Sequence, residues 1–200
     1  NISTPTVPDG AISKLVKNSS VVLFFHVPCP HCGHYQRLVW SNLRWIKPDE
    51  LGGDALAGLA DDEGEIPREK LADALMRLGG AVWYECEHCH GRIEKKHKFA
   101  MINAGRWSSA AGFVVDADGQ RHADASDVRR WPRGTRVAFD GLSALYCLWT
   151  DWETIVAEFL LAEGDLGRTV SFHNETLGEP FARRLSRQES GIFAEKCERA

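Results

Sequence analysis

The chain is 200 residues long, 44% hydrophobic and 26% charged, with a formal net charge of -4. That balance fits an ordinary globular protein with one good core or two small ones, and it excludes a strongly basic nucleic-acid module, so any contact with DNA has to be local. No run approaches the roughly 18 apolar residues that a membrane span needs. The opening residues Asn1-Ile2-Ser3-Thr4-Pro5 lack both an initiator Met and the basic-then-apolar form of a signal peptide, so they read as the cut end of a longer protein.

Ser3-Thr4-Pro5-Thr6 reads as the end of a strand running into a turn. After Gly10, the helical spacing of Ile12, Leu15 and Val16 predicts a short amphipathic helix. Val21 to Val27 is a strand, and the alternation of Leu38, Trp40 and Leu43 predicts a return strand over 35–45. Residues 49–80 read as an insertion between two strands. It comprises a solvated Gly- and Asp-rich loop and then a helix with Pro67 in its first turn, Leu71, Leu75 and Leu78 on one face, and Gly79-Gly80 at its end. Ala81 to Glu85 is a strand, Glu94 to Ala104 a helix stopped by Gly105, and Phe113 to Val115 a strand entering a turn at Asp116-Ala117-Asp118-Gly119. A further strand falls within 137–148. The clearest helix begins at Thr150, with Thr150 and Glu153 as a capping box, Trp152, Ile155, Val156, Phe159 and Leu160 as its apolar stripe, and Gly164 closing it. Thr169 to Leu177 predicts one more helix, followed by a charged tail.

The six cysteines fall into two classes: Cys147 and Cys197 stand alone, while four make the hooks Cys29-Pro30-His31-Cys32-Gly33 and Cys86-Glu87-His88-Cys89-His90-Gly91. Paired C-x-x-C without a signal peptide points to metal or redox chemistry. A structural zinc ion takes four soft ligands at about 2.3 Å in a tetrahedron, and a two-residue spacer lets one tight turn supply two of them. A glycine soon after the second cysteine tolerates the positive φ that turns backbone N–H groups toward the thiolates. Each hook follows a strand, so two hairpin tips closing on one zinc through Cys29, Cys32, Cys86 and Cys89 is the leading reading. The competing reading is redox: Val21 to Cys32 resembles the active site of DsbA-type thiol oxidoreductases, where Cys-Pro-His-Cys follows an apolar strand and the first Cys is activated at a helix N-terminus. Here Gly33 and a predicted strand follow instead of a helix, and a second C-x-x-C has no role in that fold.

His31, His34, His88 and His90, with His26 and His97 nearby, read as turn residues facing solvent, with a Cys₃His set as the variant to check. The cluster Arg92, Lys95, Lys96 and Lys98 can touch DNA phosphate, offset the negative charge of a zinc–thiolate centre, or solvate a helix face. The Asp116 turn lacks the bidentate Glu of a calcium loop and reads as a hairpin. No G-x-x-x-x-G-K-[ST] phosphate loop occurs, so this chain has no such route to ATP on its own.

The order of motifs resembles the phage terminase large subunit family of the lambda gpA type. The residues that carry the resemblance are Cys29 to Trp40, Trp83 to Cys89, Lys98 and Met101 ahead of Gly105-Arg106-Trp107, Leu142 to Tyr146, Trp149, Trp152-Glu153, Phe172, Asn174-Glu175-Thr176, and Leu177 to Pro180. In that family an ATPase motor drives DNA packaging and a metal-dependent nuclease cuts the concatemer. The resemblance therefore implies an α/β (locally α+β) fragment, with zinc-ribbon-like hairpins inserted in the C-terminal part of a P-loop-type ATPase domain and helices on either side. It implies the end of the ATPase core at 1–20, the ribbon module at 21–107 with the inserted 49–80, a return to the ATPase domain at 108–181, and a tail or linker at 182–200. Ser3 and Thr4 resemble the segment that couples ATP hydrolysis to movement. ATP and Mg belong to the full-length protein only, since the phosphate loop and the nuclease acidic motif are not in these residues. Implied partners are double-stranded DNA, the terminase small subunit and the portal protein, in an oligomeric motor in the host cytoplasm and without a membrane. A truncated segment and a decayed prophage remnant are both compatible with these departures, and a freestanding zinc-ribbon binding module is the alternative from another class.

Overall fold

In a computed structural model, residues 7–50, 59–61 and 64–181 are described. Ser3 and Thr4, the Gly52-Gly53 loop, most of the acidic run after Asp61, Cys197 and the tail lie outside the described residues. The chain begins with helix α1 (Ala11–Lys17), as the apolar spacing predicts, and α1 buries none of its side chains. It leads into β1 (Val21–Pro28), whose apolar run makes it the centre of the first sheet.

Strand β1 pairs antiparallel with β2 (Tyr35–Gln36) and with β6 (Arg106–Ser108), and parallel with β9 (Val137–Asp140). The second sheet is an antiparallel run of β3 (Leu43–Trp45), β4 (Val82–Glu85) and β5 (Arg92–Ile93), with Leu43 opposite Tyr84 and Tyr84 opposite Ile93. A small hairpin of β7 (Val114–Val115) and β8 (Arg121–His122) stands apart and forms the turn expected at Asp116, with Gly119 at φ +80°. The architecture is mixed α+β with small sheets, and β1–β9 is the one parallel pair among the described residues.

The predicted return strand over 35–45 is broken, and the reason lies in two distant tyrosines. Only Tyr35–Gln36 and Leu43–Trp45 are extended and paired; Trp40–Asn42 is a 3₁₀ turn. Between them, the Leu38 N–H donates to the Tyr146 hydroxyl at 2.7 Å and the Val39 N–H donates to the Tyr84 hydroxyl at 3.0 Å. The two hydroxyls in turn donate to the carbonyls of Phe25 (2.8 Å) and Arg37 (2.9 Å). Buried backbone groups need partners, and here side chains supply what a strand ladder would have supplied. Burial pushes both phenols upward, Tyr146 to about 12, so they stay protonated and able to donate.

Helix α2 (Arg68–Arg77) begins after Pro67 as expected, but it is no solvated appendage. Leu71, Ala72 and Leu75 are buried against α4 (Trp152–Ala162), while Leu78 lies beyond the helix and is exposed. Helix α4 presents Trp152, Ile155, Val156 and Leu160 to the core as its stripe predicts. Its expected capping box does not form. Asp151 occupies the cap position and makes no capping bond, its carboxylate being held by Lys95, and the Thr150 hydroxyl donates to Cys147 Sγ instead. The helix expected over 94–104 opens as a 3₁₀ turn (Lys95–His97) before α3 (Lys98–Asn103). Ala104 caps its end, and Gly105 follows at a point without room for a side chain, since a Cβ there would lie 2.2 Å from Phe25 Cζ.

The last helix starts earlier than expected: α5 (Leu166–Ser171) is capped by Asp165, whose carboxylate accepts from the Arg168 N–H at 3.1 Å. It widens into a π-turn over Phe172–Thr176. That turn carries the Phe172 ring to Trp40 (5.2 Å between centroids) and Phe159 (5.7 Å), where Trp45 joins the same aromatic cluster. Through this cluster the segment after the first hook is packed to both C-terminal helices.

Candidate metal centre

The two hooks are the tips of hairpins from different sheets: Cys29 and Cys32 lie between β1 and β2, Cys86 and Cys89 between β4 and β5. The tips meet. Cys29 Sγ lies 3.8 Å from Cys89 Sγ, Cys32 Sγ lies 3.8 Å from Cys86 Sγ, and all four sulfurs are within 4.8 Å of one another. Four sulfurs placed tetrahedrally at about 2.3 Å from a common centre stand about 3.8 Å apart, so the spacing fits a tetrathiolate site for one metal ion.

The two tips also repeat each other bond for bond. The Cys29 N–H donates to the His34 carbonyl (2.8 Å) as the Cys86 N–H does to Gly91 (3.1 Å). The Gly33 and His90 N–H groups donate back to the carbonyls of Cys29 (2.9 Å) and Cys86 (3.0 Å). The N–H of His31 points at Cys29 Sγ and that of His88 at Cys86 Sγ, each at 3.4 Å. Such donors stabilise a thiolate, which is what a metal ligand must be. In each hook the first cysteine is buried (Cys29 and Cys86) and the second exposed (Cys32 and Cys89).

The glycine expectation holds for one hook and needs correction in the other. Gly33 adopts φ +71°, but the matching residue of the second hook is His90, at φ +55°, rather than Gly91. Gly91 is required by crowding, since a Cβ there would stand 3.1 Å from the His31 ring and 3.2 Å from Cys89 Sγ. His90 is steadied in its left-handed conformation by a 3.3 Å contact to Glu85.

The histidines are occupied elsewhere. His31 Nε2–H donates to the Arg92 carbonyl at 2.8 Å, His34 contacts Glu87 at 3.2 Å, and the His34 and His88 rings stack at 4.8 Å. Among the described residues the metal-sized cluster contains the four cysteines and no histidine, so the Cys₃His variant finds no support. The redox reading fares no better: no helix follows Cys29, and the second C-x-x-C closes on the first instead of leaving a separate redox pair.

The basic cluster near the second hook is spoken for internally. Arg92 lies over the Trp83 ring and donates to the Gly80 carbonyl, Lys95 pairs with Asp151, Lys96 pairs with Glu94, and Lys98 is buried with its Nζ 2.8 Å from the Thr150 carbonyl. Sequence reasoning missed Gln36, which is fully buried and accepts from the Glu87 N–H at 2.9 Å, so the first hairpin holds the second hook directly. Its position facing Val27, one turn after Cys32, is the signal that marked it: a polar residue where β1 needs an inward neighbour.

Paired cysteine tips that bring two small sheets together in a helical framework define an α+β protein with a four-cysteine cluster able to hold a metal ion. A family model described as the phage terminase large subunit gpA, ATPase domain, matches residues 1–107, and the chain belongs to that family. It is 27% identical to the terminase large subunit of Escherichia phage lambda over 198 residues, which covers 98% of this chain and 27% of the relative. It is 30% identical to the terminase large subunit of Enterobacteria phage P21 over 179 residues, covering 88% of this chain and 24% of that relative. The chain thus spans about a quarter of the length of these relatives. No solved structure matches it significantly. Among the described residues no helix is long and apolar enough to cross a membrane.

Proposed function

We propose that this chain is the zinc-clasped segment of a viral or prophage DNA-packaging terminase large subunit. The observation that carries the reading is the four-sulfur cluster at 3.8 Å spacing, lying within the stretch that matches the gpA ATPase domain. Cys29, Cys32, Cys86 and Cys89 hold one structural zinc. The ion supplies no chemistry to a substrate, because four protein thiolates leave it no open position. Its work is mechanical: it locks the β1–β2 tip to the β4–β5 tip, and so ties the parallel β1–β9 pair to the sheet that α4 packs against.

In the whole protein this rigid segment sits in the later part of the ATPase motor, with Ser3 and Thr4 in the segment that couples hydrolysis to movement. ATP and Mg bind, and DNA is cut, through residues of the full-length protein beyond these 200. Double-stranded DNA, the small subunit and the portal are the partners, met by an oligomeric motor in the host cytoplasm. Membership in the family supports this role, and the length of the relatives agrees with the missing phosphate loop.

Native mass spectrometry of the chain tests the clasp. It should show one zinc per molecule, lost together with ordered structure in a strong chelator. Structural zinc contributes on the order of 10–16 kcal/mol in small peptides, comparable to the whole stability of a domain, so Cys86→Ser should release the metal and unfold the hooks. A chain that holds no metal and keeps its fold in chelator would rule the reading out.

A further inference from the structure

The geometry points to a second functional surface: the loop over 128–136 is a docking strip for the phosphate backbone of duplex DNA. The inference rests on the packaging role proposed above and assigns it a place on this chain. Within Val128-Arg129-Arg130-Trp131-Pro132-Arg133-Gly134-Thr135-Arg136 there are four arginines and no acid, in a chain whose net charge is -4. All four arginines are exposed. Arg130 is paired with Asp118, while the side chains of Arg129, Arg133 and Arg136 have no hydrogen bond, ion pair or ring contact among the described residues.

Among the described residues these are the three arginines whose side chains have no partner. Arg44 is paired with Glu85, Arg68 with Glu163 and Arg168 with Asp165, and the basic residues beside the second hook are engaged as described above. Three unpaired guanidiniums within one short loop of an acidic protein make a local positive field that attracts a polyanion.

The loop is also held still. Ala117 N–H donates to the Arg130 carbonyl (2.9 Å), fastening one end to the β7–β8 hairpin. Val21 N–H donates to the Arg136 carbonyl (3.1 Å) and Arg136 N–H to the Ser20 hydroxyl (3.2 Å), fastening the other end to the start of β1. Between them Pro132 to Thr135 form a closed turn, with Gly134 at φ +78° and the Thr135 N–H 3.1 Å from the Pro132 carbonyl. With the backbone tied at these points, ordering the side chains on a ligand costs little backbone entropy.

The chemistry favours duplex backbone over other partners. From Arg129 to Arg136 the chain spans at most about 25 Å, enough for several phosphates spaced about 3.4 Å per strand along the helix axis. Single strands are held by stacking bases on exposed rings. Within 128–136 the one ring, Trp131, is partly buried; the exposed Phe139 lies further on in β9, edge-on to Trp107 at 4.8 Å. An exposed apolar anchor, which a protein partner would need, is missing from the strip as well. Placement gives the contact a consequence. The strip runs straight into β9, the parallel partner of the strand that ends at Cys29, so force on DNA reaches the cysteine clasp through one pair of strands.

The test uses the full zinc-loaded chain and a labelled duplex of arbitrary sequence, titrated by fluorescence anisotropy at several salt concentrations. Binding should be independent of sequence. Replacing Arg129→Ala, Arg133→Ala and Arg136→Ala together should make the slope of log affinity against log salt shallower by roughly 2–3, the loss of three phosphate contacts. Lys14→Ala with Lys70→Ala, exposed cations on other elements, should leave the slope unchanged, and the zinc content and circular dichroism of every variant should match the parent. Wild-type binding with a slope that survives the triple substitution overturns the strip and leaves the packaging reading standing. Absence of any duplex binding at low salt overturns both the strip and DNA contact by this chain, while the clasp is judged separately by its metal content. Single-stranded RNA or an acidic protein bound with the same arginine-dependent slope overturns the assignment to duplex DNA.

Discussion

Tyr146→Phe isolates the bond that turns the first hairpin away from a regular strand. Tyr146 is 7% exposed; its hydroxyl donates to the Phe25 carbonyl at 2.8 Å and accepts the Leu38 N–H at 2.7 Å. Phenylalanine keeps the ring and its edge-on contact with Phe25 at 5.7 Å, so the substitution removes the oxygen and little else. It leaves a carbonyl in the central strand and an N–H on the buried Leu38 without partners. Each unsatisfied buried group costs about 1–3 kcal/mol, so the loss should total roughly 2–6 kcal/mol. For a domain of this size that lowers the melting temperature by roughly 4–24 °C. Urea and thermal unfolding of the zinc-loaded protein at neutral pH measure it, with metal content checked alongside. A variant that melts together with the wild type would refute the claim that the 37–39 backbone depends on this hydroxyl.

Gly105→Ala should destabilise the protein by about 1–3 kcal/mol in urea, because its methyl would sit 2.2 Å from Phe25 Cζ in the strand that carries Cys29; an unchanged midpoint would contradict that packing. Lys98→Met tests a buried cation. Burial holds the Lys98 ammonium down at about 8 against an ordinary 10.5, so between those values the unfolded chain keeps a proton that the folded chain has released. The unfolded state then binds more protons, and the contribution of Lys98 to stability rises with pH across that window. Measured as the difference between wild type and variant, this should grow from pH 8 to 10.5 and be flat below; a flat difference throughout would show that Lys98 is solvated.

How much could be read from the residues in order follows from how local each cause is. Helices α2 and α4 were legible because a 3.6-residue apolar period reports a buried stripe directly, and α1 because its apolar residues recur at the same spacing although none is fully buried. Strands β1 and β4 were legible as short apolar runs bounded by turn residues. The hooks were legible because a C-x-x-C turn is closed by its own backbone, and two of them imply a common ion. What misled was equally local: the alternation from Tyr35 to Trp45 looks like a strand, and Thr150 with Glu153 looks like a capping box. Each was overruled by a partner far along the chain, the hydroxyls of Tyr84 and Tyr146 in one case and Lys95 on Asp151 in the other.

The sequence by itself determined the order of the motifs and the family, and it singled out the four cysteines as candidate ligands, since these depend on residue type and spacing alone. Tertiary structure decided the rest. It brought sulfurs 54 and 60 residues apart to 3.8 Å and made His90 rather than Gly91 carry the left-handed turn. It engaged the basic residues beside the second hook, for which DNA contact was one of three open readings, and left the side chains of Arg129, Arg133 and Arg136 without partners among the described residues, which no periodicity distinguishes from a solvated loop. A charge is available to a ligand only if no carboxylate or ring in the fold has already claimed it. That is a property of neighbours in space, and neighbours in space are what a linear pattern does not contain.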